Sequence, residues 1–190
     1  LDSPAQLAGV LNNSGALRYL RGEYREALAR YEEGLAAARR GGDLRGQANI
    51  CKGLASIYRD VGDYHRAELL YDTVWRIARE SRPSQAVEVL ASRADIRRWL
   101  GNHEEALELL RRARQLTEER SLDFERCGLL AVARGIALTE LGDIRAGLRS
   151  LSDGVSFLVQ QGARRQVASA RFLLAKAYLI QGDQDRALSE

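Results

Sequence analysis

The chain has 190 residues, of which 45% are hydrophobic, enough for a sizeable core and too many for a disordered segment. Its 29 bases and 26 acids leave a net charge of only +3. Pairs such as Arg39-Arg40 and Arg164-Arg165 are interleaved with acids, as on solvated helix faces, so no direct nucleic-acid contact is expected. The sequence has neither an apolar run of ~18 residues nor a signal-peptide pattern, so no membrane span and no secretion are expected. Cys51 and Cys127 both fall within apolar helical patterns, far apart in the chain, and read as buried reduced thiols in a cytoplasmic protein.

Ser3-Pro4 opens the first helix, with serine as cap and proline in the first turn. Leu7, Val10, Leu11, Ser14, Gly15 and Leu17 follow at helical spacing, and Gly22 makes the turn near Arg21. A second helix runs from Tyr24 to Arg40 and stops at Gly41-Gly42-Asp43. Leu44 to Val61 and Tyr64 to Glu80 repeat the pattern. Ser81-Arg82-Pro83 then breaks the chain, because proline cannot continue a helix but can begin one. Pro83 to Leu100 and His103 to Arg120 form the third pair, with Asn102 and Glu105 as a capping box. Asp123 to Leu141, Ile144 to Gln161 and Arg164 to Gln181 follow, and Asp183 caps a last short helix. No alternating strand pattern or hairpin signal stands between them, so the fold is expected to be all-α.

The turns share one pattern. Gly22, Gly62, Gly101, Gly142 and Gly182 lie 40, 39, 41 and 40 residues apart. A fixed period of this size marks a solenoid, whose units bury their apolar faces only against their neighbours. Seven residues before each glycine stands Gly15, Ala55, Ala94, Gly135 or Ala175. Five after it stands Ala27, Ala67, Ala106, Gly147 or Ala187. Two helices approach closely only where side chains are small. Gly34, Val74, Ala113 and Gly154 mark where the next hairpin packs, and Tyr31, Tyr71, Leu110 and Leu151 fill the gap between units. A large residue at Ala67 is expected to cost about 1–3 kcal/mol by overpacking.

At these positions the chain resembles the tetratricopeptide (TPR) family. Leu54-Ala55, Tyr58, Gly62-Asp63-Tyr64, Ala67, Tyr71 and Val74 follow the family pattern of small residues, turn and aromatics. The departures are a period longer than the common ~34 residues, no closing proline, and Arg93 and Arg134 where leucine is usual. Long repeats with linkers such as Gly41 to Ala48 resemble those of MalT-like and AfsR-like bacterial transcription regulators. The resemblance implies a right-handed TPR-type superhelix of antiparallel hairpins with about 4.5 repeats. Residues 1–190 are expected to form a single array, with repeats near 4–41, 44–81, 83–121, 123–162 and 164–190. The array is expected to be a piece of a larger regulator, because the chain has no methionine and stops inside a helix.

In such a superhelix the first helix of each hairpin lines a concave groove. The resemblance places Asn12, Asn13, Ala16 and Tyr19 there from the first repeat, and Asn49, Lys52, Ser56 and Arg59 from the second. Glu88, Ser92, Asp95, Arg98 and Trp99 come from the third, and Leu129, Val132, Ile136 and Thr139 from the fourth. Ser169, Phe172, Leu173, Lys176 and Ile180 complete it. The groove is thus expected to be polar in its first half, holding backbone or carboxylate groups of a protein or peptide partner, and apolar in its second. The alternative is a small-molecule inducer in the same groove. The carboxylate clamp of chaperone-tail readers is not expected, because its positions carry Asn12, Ala16, Gly53, Glu88 and Ser92.

No phosphate-binding loop ending in Lys-Ser/Thr stands in the sequence, and no second histidine follows His103-Glu104 at metal-ligand spacing, so neither catalysis, a metal nor a cofactor is expected. His65 and His103 read as solvated turn residues. Phe172, Leu174 and Tyr178 are expected to be poorly covered by the short last hairpin and to drive self-association through that end.

Overall fold

The computed structural model describes residues 3–122 and 124–190, and only the backbone of 124–126. Among the described residues there are ten helices and no strand: α1 (Pro4–Leu20), α2 (Tyr24–Arg40), α3 (Leu44–Asp60), α4 (Tyr64–Ser81), α5 (Pro83–Trp99), α6 (His103–Glu119), α7 (Phe124–Leu141), α8 (Ile144–Gln160), α9 (Arg164–Gln181) and α10 (Gln184–Ser189). The expected helices are all present within a residue or two. The expected start at Asp123 lies outside the described residues. Two compact units form, residues 1–89 and 90–190, with the boundary inside α5.

The turns show why the sequence repeats. Gly22, Gly62, Gly101, Gly142 and Gly182 all take positive φ, between 77° and 99°, which a side chain would strain. An aspartate after the glycine then caps the next helix. Asp63, Asp143 and Asp183 each accept from the backbone N–H three residues on, at 3.1 Å. Ser3 caps α1 in the same way at 3.2 Å. Asn102 does not: its side chain makes no cap bond, and Glu105 lies 3.2 Å from Arg97 instead of closing the expected box.

In the first unit, the core joins Ala8, Ala27, Tyr31, Ile50, Leu54 and Ile57, with Tyr58 and Leu70 packed against it. Tyr31 is the wedge. Its ring lies where a Cβ on Gly15 would come within 2.8 Å, and it also covers the space beside Gly53. One ring from α2 thus fills the gap between α1 and α3, and two glycines make the room. Val10 and Leu17, among the helically spaced residues of α1, are about half exposed (52% and 51%), while Ala8 is buried.

In the second unit, α7 and α8 cross in backbone contact. A Cβ on Gly135 would meet the Gly147 carbonyl at 2.9 Å, and one on Gly154 would meet the Gly128 carbonyl at 3.0 Å and Val132 Cγ2 at 2.7 Å. Leu148, Leu151, Val155 and Leu158 of α8 then pack with Ala170, Leu174 and Ala177 of α9. Ser150, buried on α8, donates to the Ala131 carbonyl of α7 at 2.9 Å.

These glycines predict a sign reversal. Gly154→Ala gains about 0.5–1 kcal/mol of helix propensity but drives a methyl into backbone that cannot move. A net loss of about 1–3 kcal/mol is expected in urea unfolding. Gly9→Ala, with nothing within 4 Å of its Cβ, keeps the propensity gain and stabilises. Stabilisation by both substitutions would contradict the close crossing.

Candidate ligand-binding face

The first helix of each hairpin, α1, α3, α5, α7 or α9, carries the expected site residues. In the first unit the polar ones are largely joined to one another. Tyr19 donates its hydroxyl to Asp60 Oδ2 at 2.6 Å, linking the ends of α1 and α3, and its ring stacks on Tyr24 at 5.8 Å. Arg59 donates to the other oxygen, Asp60 Oδ1, through Nε at 3.0 Å and a terminal nitrogen at 2.8 Å. Asn49 Oδ1 accepts from Arg82 at 3.1 Å and from Gln85 at 3.2 Å. Lys52 Nζ reaches Glu88 Oε2 at 2.7 Å. Asn12 is half-buried and bonds Asn13, which is exposed. Three helices of this face are therefore tied laterally by side chains that the sequence assigned to a partner.

Partial burial and the bond to Asp60 favour the neutral phenol of Tyr19, whose pKa is pushed up to about 12. Cys51 is buried, which raises its thiol, while Cys127 is half-buried; neither is in a disulfide.

The second unit repeats the lateral tie. Arg98 donates to Glu140 Oε1 at 2.6 Å, joining α5 to α7, and its side chain is only 16% exposed. Asp95 lies 3.5 Å from the same guanidinium, which also sits 5.6 Å over the Trp99 ring. Tyr19 and Arg98 both stand three residues before a turn glycine. Asp60 and Glu140 both stand two before the next one. The same rung thus forms once in each unit, a pairing that matching the repeats phase by phase would have revealed. His103, expected in solvent, is partly covered, with Nδ1 3.7 Å from Glu140; His65 is exposed. Ser92 is half-buried on α5.

Between α7 and α9 the face opens instead of closing. One cleft, of about 370 Å³, is lined by Leu129, Val132 and Leu158, with Arg165, Gln166 and Ser169 at its polar side. A smaller one, of about 60 Å³, lies among Ile136, Thr139, Glu140 and Lys176. Leu173 of α9 lines both. The expected apolar half is thus brought together, except Phe172, which lines neither cleft and is 71% exposed. Leu174, expected to be poorly covered, is buried, and Tyr178 is half-buried under Arg186 at 5.9 Å.

Residues 2–189 match the model of the MalT-like TPR region. The chain belongs to the MalT-like TPR family. It is a TPR-type protein-interaction module. No curated protein sequence matches this MalT-like chain. Its fold is similar to that of the apo form of RapI, with a TM-score of 0.81 at 16% identity over 95% of this chain and 66% of RapI, just under two thirds of that protein. It is also similar to BtubC from P. vanneervenii, with a TM-score of 0.71 at 20% identity over 84% of this chain and 67% of that one. YrrB, a TPR protein with an unusual peptide-binding site, matches with a TM-score of 0.52 at 20% identity over 94% of this chain and 80% of YrrB. At these identities the likeness concerns the fold. Among the described residues, no cluster of His, Cys, Asp and Glu could hold a metal ion, and no helix is long and apolar enough to cross a membrane.

The Tyr19–Asp60 rung has a pH signature. A phenol whose pKa rises from 10.0 to about 12 on folding contributes stability that is complete below 10 and is lost as pH rises through 12. The tyrosinate absorbance difference between the chain and Tyr19→Phe should titrate near 12. A midpoint at 10 would show that the rung is absent in solution.

Proposed function

We propose that residues 1–190 act as one array in the regulatory region of a cytoplasmic bacterial transcription regulator, where they bind a protein or peptide on the first-helix face. The observation that carries this reading is the pair of clefts between α7 and α9, which share Leu173 as a common wall. A segment with two apolar side chains would seat one in each cleft, with Arg165 and Lys176 beside them for its carboxylates. Family membership supports the regulator context, and the fold shared with YrrB, which has a peptide-binding site, supports the ligand class.

Ile136 and Lys176 then act at the ligand, with Trp99 and Phe172 at the margins. Tyr19, Asn49, Lys52, Arg59, Asp95 and Arg98 hold the helices that present it, and Asn12, Asn13 and Ser92 remain the polar positions open to a partner. The larger cleft also falls within the ~300–1,000 Å³ of small-molecule sites, which favours an inducer as the second reading. Exposed Phe172, Leu179 and Leu188 support self-association through the α9–α10 end.

Selection of peptides from a random library on the immobilised chain tests the first reading. Retained peptides should lose tenfold or more in affinity on Leu129→Glu, a partly exposed position whose change leaves the fold intact. Retention that is indifferent to Leu129→Glu would place the ligand elsewhere. A metabolite that raises the melting temperature, with no peptide retained, would decide for the inducer.

A further inference from the structure

The four links between hairpins are not alike. Three turn through a residue with positive φ: Gly42 at 64°, Ser121 at 48° and Gly162 at 67°. The link from α4 to α5 has none. There α4 continues to Ser81, and Arg82 leaves the helical region, at φ −141° and ψ 64°, because Pro83 disfavours the α conformation in the residue before it. Beside this link, between the start of α3 and the end of α4, lies a cavity of about 520 Å³. The corresponding gap in the first hairpin is closed, since a Cβ on Gly41 would sit 3.2 Å from Pro4 Cβ.

The cavity is walled by Leu44 and Ile77 and ringed by Arg45, Arg76 and Arg82. Leu44 is 61% exposed although it is large and apolar. The hydroxyls present are committed as donors, Thr73 to the Leu69 carbonyl at 3.1 Å and Ser81 to the Ile77 carbonyl at 3.2 Å. Charge recognition therefore falls to the guanidiniums. Arg82 is held by Asn49 at 3.1 Å. Arg76 makes an exposed 3.4 Å pair with Asp72, a contact worth little and readily exchanged. Arg45 forms no ion pair among the described residues. Neither Asp43 nor Glu80 pairs with these guanidiniums, because Asp43 turns to the Gly46 N–H at 2.8 Å and Glu80 lies beside Arg79 at 3.6 Å.

We propose that this cavity is a second ligand site, separate from the first-helix face, for a small organic carboxylate with an apolar body. The apolar part would lie on Leu44 and Ile77, and the carboxylate would take a forked contact from Arg45 and Arg76, a geometry suited to guanidinium. The volume suits a small molecule.

Titration of isotope-labelled chain with sodium octanoate, followed by NMR chemical shifts, tests this. Saturable shifts are expected at residues 44–45, 73–77 and 81–82, with octan-1-ol at least tenfold weaker on the unaltered chain. Arg45→Gln/Arg76→Gln, both exposed positions, should weaken octanoate tenfold or more, while Lys176→Gln on α9 should not. The site is overturned if octanol binds as well as octanoate, if the saturable shifts centre on α7 and α9, if no saturable shift appears at millimolar octanoate, or if the double variant binds unchanged.

Discussion

The structure depends on how closely paired helices can approach. Where α7 and α8 cross, glycines bring backbone against backbone, so that even one methyl at Gly154 would press on a carbonyl at 3.0 Å. Elsewhere alanine serves: Ala27, Ala55, Ala67, Ala94 and Ala106 are all buried. At this spacing ridges seat in grooves along the whole helix, and apolar burial at about 25 cal/mol per Å² follows from the geometry rather than preceding it. Everything on the first-helix face rests on helices placed in this way.

Close pairing within hairpins leaves first helices of neighbouring hairpins side by side, and there polar rungs take over. Tyr19–Asp60 and Arg98–Glu140 recur at the same phase of the repeat, one in each unit. Their energies are modest because they lie near solvent, but they fix how the side chains of this face are held. Between α7 and α9 the corresponding residue is Thr139, whose hydroxyl turns back to the Gly135 carbonyl at 2.8 Å. At this position of the repeat no long polar side chain reaches across, and clefts open beside Ile136 and Leu173. A change of one residue type at a repeated position thus separates a tied face from one with room for a ligand.

Most of this architecture was legible from spacing. Turn glycines at a fixed period, the small residues seven before and five after them, and Tyr31 as a filler stand where the sequence places them, but Gly154, expected where the next hairpin packs, meets Gly128 and Val132 of its own hairpin. Phase also grouped Leu129, Val132, Ile136 and Leu173, which line the clefts. It did not identify what the polar residues do. Lys52 and Asn49 look the same in sequence whether they meet a partner or Glu88 and Arg82, because that choice depends on side chains more than 30 residues away. The α1 periodicity marked a helix but not its buried side, since Val10 and Leu17 are about half exposed. That helix is apolar nearly all round, so spacing alone does not choose its buried stripe. The break at Ser81-Arg82-Pro83 was visible as a stop, but the cavity beside it follows from the path of the chain out of α4, which residue spacing does not encode.

Hydrogen exchange on Gly147→Leu is the most direct test of the central claim. In a repeat array each hairpin is held mainly by its neighbours, so forcing a leucine between α7 and α8 should strip protection from residues 127–160 and leave α1 to α4 protected as before. Unchanged protection in α7 and α8 would contradict the account, because it would mean that those helices do not depend on the closeness that glycine allows.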